Sequence, residues 1–285
     1  MSQASVNPLD YYTLSGVMTD PGEYAWMLEG LPHDIAGICQ AVQENMVHIF
    51  WAERYGLDLT EEQKETVNVR PVREKLARIA AHDPRPLCEP RPLDERQVGN
   101  CRDFSVLAAS ILRSQGIPAR ARCGFGTYFL PNHYEDHWVC EVWDASQSRW
   151  VMFDSQLDAF QQRELGIDFD PLDMPPGKFV IAGQAWQMCR RGEADPSTFG
   201  IFEYRGLWFI RGNVVRDFGA LNKLEILPWD GGWGVLSKQD HEASEADWEY
   251  ELFDRIADLS LQGNEVFFQI RSLYESRPDL QPPYK

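Results

Sequence analysis

The chain has 285 residues, 44% of them hydrophobic and 25% charged, with 27 basic against 44 acidic side chains and a formal charge of −17. This composition excludes collagen-like, low-complexity and wholly disordered chains, and the length is enough to bury a sizeable core without a disulfide or metal staple. So acidic a surface repels phosphate backbones and anionic bilayers, so neither a nucleic-acid nor a membrane partner is expected.

No run approaches 18 uncharged apolar residues, and the opening MSQASVNPLDYYTLSG has neither a basic start nor an apolar stretch. No membrane span and no secretory signal are therefore expected, and the location read from this is cytoplasmic. The six cysteines, at 39, 88, 101, 123, 140 and 189, form no CxxC pair and no compact Cys/His array. That pattern predicts free thiols, no metal site and no disulfide framework.

Residues 1–33 read as irregular, with turns at Thr19-Asp20-Pro21-Gly22 and Leu31-Pro32. From Asp34 the apolar positions Ile35, Ile38, Val42, Met46, Ile49 and Phe50 recur every three or four residues. They predict a helix capped near Asp34 and ended at Gly56. Thr60 suggests another N-cap, and a helix is expected from Pro71 to about Ala81. Four prolines between 83 and 93 make that stretch a loop.

A helical stripe follows from Cys101 to Gln115, stopped by Gly116 and Pro118 as a C-cap glycine followed by proline should stop it. Strands are expected at Ala119–Phe129, His137–Trp143 and Arg149–Phe153, the last two forming a hairpin. Beyond Asp154 helices are predicted at Phe179–Arg191, Leu207–Leu221, Ser244–Ser260 and Glu265–Ser276. A helix followed by an antiparallel meander indicates an α+β fold rather than alternating βαβ units. The expected organisation is a single domain over 1–285. It has a core at about 95–160 and mainly helical flanks at 1–94 and 161–285. From Asp240 onward there are 11 acidic and 4 basic residues, which reads as a solvated face.

Cys101 stands where the proline-rich loop meets a helix, in Gly99-Asn100-Cys101-Arg102-Asp103-Phe104. The positive end of a helix macrodipole favours thiolate over thiol, and the thiolate is the nucleophile. Gly99 would let a substrate backbone approach. His137 opens one expected strand and Asp154 ends the next. On neighbouring antiparallel strands such a pair can lie opposite each other, giving a nucleophile, a base and an orienter. His133, four residues earlier in a Leu130-Pro131-Asn132 turn, is the competing base.

These motifs resemble the transglutaminase-like superfamily. The G-x-C-x-(D/E)-(F/Y) segment of that superfamily opens a helix ending in L-x-x-x-G-I-P-A-R, similar to Leu112-Arg113-Ser114-Gln115-Gly116-Ile117-Pro118-Ala119-Arg120. A histidine-headed strand resembles His137-Trp138-Val139-Cys140-Glu141-Val142, and W-x-x-x-D resembles Trp150-Val151-Met152-Phe153-Asp154. The resemblance covers roughly residues 95–160. It implies a papain-like α+β core, its nucleophile helix packed on an antiparallel sheet, with Cys101 as nucleophile, His137 as base and Asp154 as orienter. Members attack a carbonyl to form a thioester and pass the acyl group to water or an amine.

The expected function is therefore a cofactor-free attack on an amide or related acyl bond of a peptide, amide or small acyl substrate, hydrolysis being favoured over transfer. The alternatives are an amide-forming acyltransferase of a biosynthetic pathway and a non-catalytic binding protein on the same scaffold. Gln97, Asn100 and Trp138 are candidate oxyanion donors beside the Cys101 N–H. Arg102, Arg120 and Arg122 are candidates for a substrate carboxylate or phosphate, or else solvent-facing charges. The Trp229–Trp233 turn is a candidate cover.

Overall fold

A computed structural model describes residues 7–237 and 248–284. The fold is α+β, as expected. The backbone divides into two compact units, one of Met1–Ala121 and Val139–Pro175, the other of Arg122–Trp138 and Pro176–Lys285. The borders at 121/122 and 138/139 fall inside strands.

In the first unit, helix α1 (Pro8–Thr13) forms where irregular chain was expected, behind an Asn7 side chain that accepts from Leu9 N–H at 3.0 Å. Helix α2 (Ile35–Asn45) starts at the expected cap, where Asp34 accepts from Gly37 N–H at 2.9 Å. It ends eleven residues before Gly56. Met46–His48 instead forms strand β1, paired in parallel with β2 (Gln97–Gly99) in the register Met46↔Gln97, Val47↔Val98, His48↔Gly99. Met46 and Val47 are buried in the strand, as they would be in a helix, so apolar spacing alone does not separate the two.

Helix α3 (Glu61–Glu65) carries a full capping box between Thr60 and Gln63, and α4 (Val72–His82) begins immediately after Pro71. Helix α5 (Cys101–Ser114) is buried from Cys101 through Arg113 and packs against α1, α2 and α4. Its stop is as read: Gly116 takes φ +73°, a left-handed backbone that favours glycine.

Strand β3 (Ala119–Gly126) stops three residues short of Phe129. Phe129 folds back over Gly126, where a Cβ would stand 2.7 Å from its ring, so only glycine leaves room. Strand β4 (Tyr134–Asp144) starts three residues before His137. Residues 127–133 join β3 to β4, and the two are neighbours in one sheet. Strand β5 (Arg149–Phe153) pairs antiparallel with β4, from Cys140↔Phe153 to Asp144↔Arg149. Helix α6 (Ala159–Leu165) follows, capped by Asp158.

In the second unit, the end of β3 pairs antiparallel with β6 (Phe179–Ile181), which takes the first turn of an expected helix and leaves α7 as Ala182–Arg190. Strand β7 (Phe199–Ile201) adds a parallel pair with Tyr134 and Glu135 of β4 to the otherwise antiparallel pairings. It turns back antiparallel on β8 (Tyr204–Arg205). Helix α8 (Leu207–Leu221) has its expected bounds. The expected Ser244 start lies outside the described residues, and helices are described at Tyr250–Leu261 and Phe267–Ser276. Trp186, Phe199, Phe218, Phe253, Ile256 and Ile270 build the core of this unit.

Arg122 is buried in this unit as half of an ion pair, not as a surface charge. Its Nε and a terminal nitrogen donate to the two carboxylate oxygens of Asp217, each at 2.9 Å, and Asp217 also accepts from Cys123 N–H at 3.0 Å. Removing one member of such a pair strands a buried charge. Asp217→Ala should therefore lower unfolding free energy by about 3–5 kcal/mol. A double Arg122→Met/Asp217→Leu variant should lose less than Asp217→Ala alone. Denaturant unfolding of the three proteins checks both statements.

Candidate active site

Cys101 is the first residue of α5, and the turn that precedes it is tightly built. The Asn100 side-chain oxygen accepts from Asp103 N–H at 3.3 Å, and an Asp103 carboxylate oxygen accepts from Asn100 N–H at 3.0 Å. This reciprocal capping box gives the Asn100 N–H its acceptor and the Asp103 N–H a second one, beside the Asn100 carbonyl at 2.8 Å. Asp103 is itself buried and meets Lys75 Nζ and an Arg102 nitrogen, each at 3.0 Å. Arg102 also donates to the Arg70 carbonyl at 2.7 Å. Burial pushes the Lys75 ammonium down while the Asp103 charge pulls it back up.

Gly99 makes room in this turn. A Cβ there would lie 2.5 Å from the Met46 methyl and 3.0 Å from an Asp103 oxygen. Its carbonyl accepts from Ile49 N–H at 2.9 Å, which completes the β1–β2 pairing. Burial raises the Cys39 thiol, with Asp154 and Cys140 adding to the shift, and raises the Cys189 thiol to about 11.

Asp154 directly follows β5 and is buried. Its N–H donates to the Pro171 carbonyl at 2.8 Å, and one carboxylate oxygen accepts from Gln156 N–H at 2.9 Å. The Gln156 side chain continues a chain of bonds through Gln161 and Tyr55 to Asp158, the last link being 2.7 Å. Gln156, Asp158, Tyr55, His48 and Phe104 line a small cleft in this unit. Sequence reading missed this support, because Tyr55 lies about a hundred positions from Asp158 and Gln161.

His137 lies within β4 in the second unit, 2% exposed. Its ring meets Phe129 at 4.8 Å, Tyr128 at 6.0 Å and Phe179 at 6.4 Å between centroids. These aromatic walls fix the imidazole plane and keep water off it. His133 is placed differently: it precedes β4, and its Nε2–H donates to the Gly200 carbonyl at 3.2 Å.

The other expected site residues divide. Gln97 Nε2 donates to the Val98 carbonyl at 2.8 Å. Asn100 Nδ2 and Trp138 Nε1 are buried and find no hydrogen-bond partner among the described residues. The three arginines are buried rather than solvent-facing. Arg102 and Arg122 hold the buried partners given above, and Arg120 Nε donates to Glu141 at 2.6 Å while stacking over Trp150 at 4.1 Å. Each guanidinium is held in a buried pair, which a charged residue in the sequence does not announce. In the Trp229–Trp233 turn, Asp230 accepts from Leu227 N–H at 2.9 Å and Trp229 is exposed. Among the described residues no group of three or more His, Cys, Asp or Glu side chains is placed to hold a metal ion, and no helix is long and apolar enough to cross a membrane.

Residues 63–155 match the model of the transglutaminase-like superfamily. No curated protein matches the chain. Among solved structures, one from Cytophaga hutchinsonii, described as a "putative cysteine protease", is similar at 14% identity and a TM-score of 0.35. The similarity covers 62% of this chain and 46% of that one, so this chain spans under half of its length.

Just before His137, Glu135 Oε2 lies 2.9 Å from His133 Nε2. This is not a strong ion pair, because burial pushes His133 down and Glu135 up, the latter to about 7. Burial also raises its neighbour Asp136, whose carboxylate accepts from Asn213 at 2.7 Å. A carboxyl raised on folding binds its proton more tightly in the native state, so stability falls as pH rises from its unfolded value toward 7. Glu135→Gln should therefore be more stable than wild type by about 1–3 kcal/mol at pH 8. The difference should shrink toward zero below pH 5, as denaturant unfolding at the two pH values would report.

Proposed function

From a chain that carries a transglutaminase-like core over residues 63–155, we propose a cytoplasmic cysteine-dependent enzyme. It attacks an amide or related acyl bond of a peptide, amide or small acyl substrate. Cys101 is the nucleophile, His137 the general base and Asp154 the orienter. The observation that carries this reading is the position of Cys101 as the first residue of a buried, fully capped 14-residue helix. There the macrodipole, equivalent to about half a positive charge, favours the thiolate. The buried carboxylate of Asp154 at the end of β5, and the wall of aromatic rings around His137, support the other two roles.

The chemistry follows from those roles. The thiolate adds to the carbonyl carbon, forming a C–S bond and moving the π pair onto oxygen. Collapse of that oxyanion breaks the bond to the leaving amine, which takes a proton from the His137 imidazolium. His137 then removes a proton from water, which forms the new C–O bond and releases the thiolate. Hydrolysis is the favoured outcome. An amine in place of water would make the same intermediate an amide synthase.

Competitive alkylation at pH 7, read by mass spectrometry, should modify Cys101 ahead of the other five cysteines. Cys101→Ala should abolish turnover of p-nitrophenyl acetate. Asp154→Asn should slow it by up to about 10⁴-fold without abolishing it, since the orienter acts through the base. An inert Cys101, with exposed Cys88 labelled first, would favour the non-catalytic binding protein.

A further inference from the structure

We propose that the side-chain amide of Asn100 is an oxyanion donor for acyl transfer at Cys101. The proposal rests on the reading of Cys101 as nucleophile, and adds to it a residue and an atom. Asn100 is 3% exposed, and its Nδ2 finds no hydrogen-bond partner among the described residues. Its Oδ1 is committed to Asp103 N–H in the capping box. The orientation of the amide is thereby decided, since the reversed amide would set two donors against each other. The donor face is therefore turned away from the helix backbone, one peptide before the nucleophile.

The cost of this arrangement is what points to a ligand. A buried amide donor without a partner costs about 1–3 kcal/mol. Capping does not require it. Aspartate and serine cap helix starts about as well as asparagine and would leave no orphaned donor. The cap fixes Asn100, so the orphaned N–H is held ready for an acceptor that arrives with the substrate. The acceptor that attack on a carbonyl creates is an oxygen bearing a full negative charge. Gln97, the other amide candidate in this unit, already donates from its Nε2 to the Val98 carbonyl at 2.8 Å.

The step is the one in which the Cys101 thiolate forms its C–S bond. The carbonyl π pair moves to oxygen, where Asn100 Nδ2–H would stabilise it until collapse expels the leaving group. Stabilisation there acts on the transition state and not on the resting thiolate. The two contributions can therefore be measured apart.

The test uses the full chain and two probes. p-Nitrophenyl acetate acylates through an oxyanion and releases p-nitrophenolate, whereas iodoacetamide alkylates by direct displacement with no oxyanion. Asn100→Ser keeps a capping oxygen and deletes the amide donor. It should acylate about 10²–10³-fold more slowly than wild type, with iodoacetamide alkylation of Cys101 within about twofold and an unchanged thermal midpoint. Asn100→Asp, a second variant that keeps the cap, should lose at least as much acylation. Wild-type acylation in both variants overturns the proposal, as does an equal loss of acylation and alkylation, which would mark a purely structural residue. Should Cys101→Ala still be acylated, the reading of Cys101 fails instead, and that outcome is separate from either result at Asn100.

Discussion

The Asp103 carboxylate is the interaction around which the first unit is organised. It accepts from the Asn100 N–H and meets Lys75 and Arg102, so segments near 70–75, 97–100 and the start of α5 converge on one buried anion. Burying three charges is expensive, and only their mutual geometry offsets it. The arrangement therefore has little tolerance. Moving the carboxylate would release the cap, strand Lys75 and let the first turn of α5 shift. Cys101 is the residue whose position that turn decides. Gly99 belongs to the same constraint, because the side chains of Met46 and Asp103 occupy the space a Cβ would need.

A comparable constraint operates in the second unit at the end of β3. Gly126 admits the Phe129 ring, and Phe129 in turn packs on His137. Both features are local consequences of a missing side chain, and both lie beside residues whose chemistry depends on a fixed orientation. The close approach, rather than any left-handed backbone angle, is what calls for glycine at these two positions.

The parts of the fold legible in the sequence are those whose signals are local. Helix α5 begins at a capping box and stops at Gly116. Helix α8 and strand β5 also have the bounds read from their patterns. Strands β1, β2 and β6 were not legible. Each has three residues, and β1 finds its partner some fifty positions away, so no window holds both halves of the signal. Cys101, His137 and Asp154 stand out by residue type and motif order. Their supports do not: Gln161 and Tyr55 are 106 positions apart, and Arg122 and Asp217 are 95 apart. Side chains of that kind read as surface polarity until their partners are seen.

The arginines carry a consequence for substrate chemistry. Arg102, Arg120 and Arg122 each spend a guanidinium on a buried carboxylate, Asp103, Glu141 and Asp217 respectively. Arg120 also lies over the Trp150 ring. Withdrawing any of them to hold a substrate would strand the matching anion, a loss larger than a surface phosphate or carboxylate contact returns. In a chain of charge −17, these three positive charges are thus each matched by a buried negative one. The capped helix start adds a positive potential at Cys101. It is short-ranged, and so suits the proposed reaction, in which charge develops on an acyl oxygen close to the helix start.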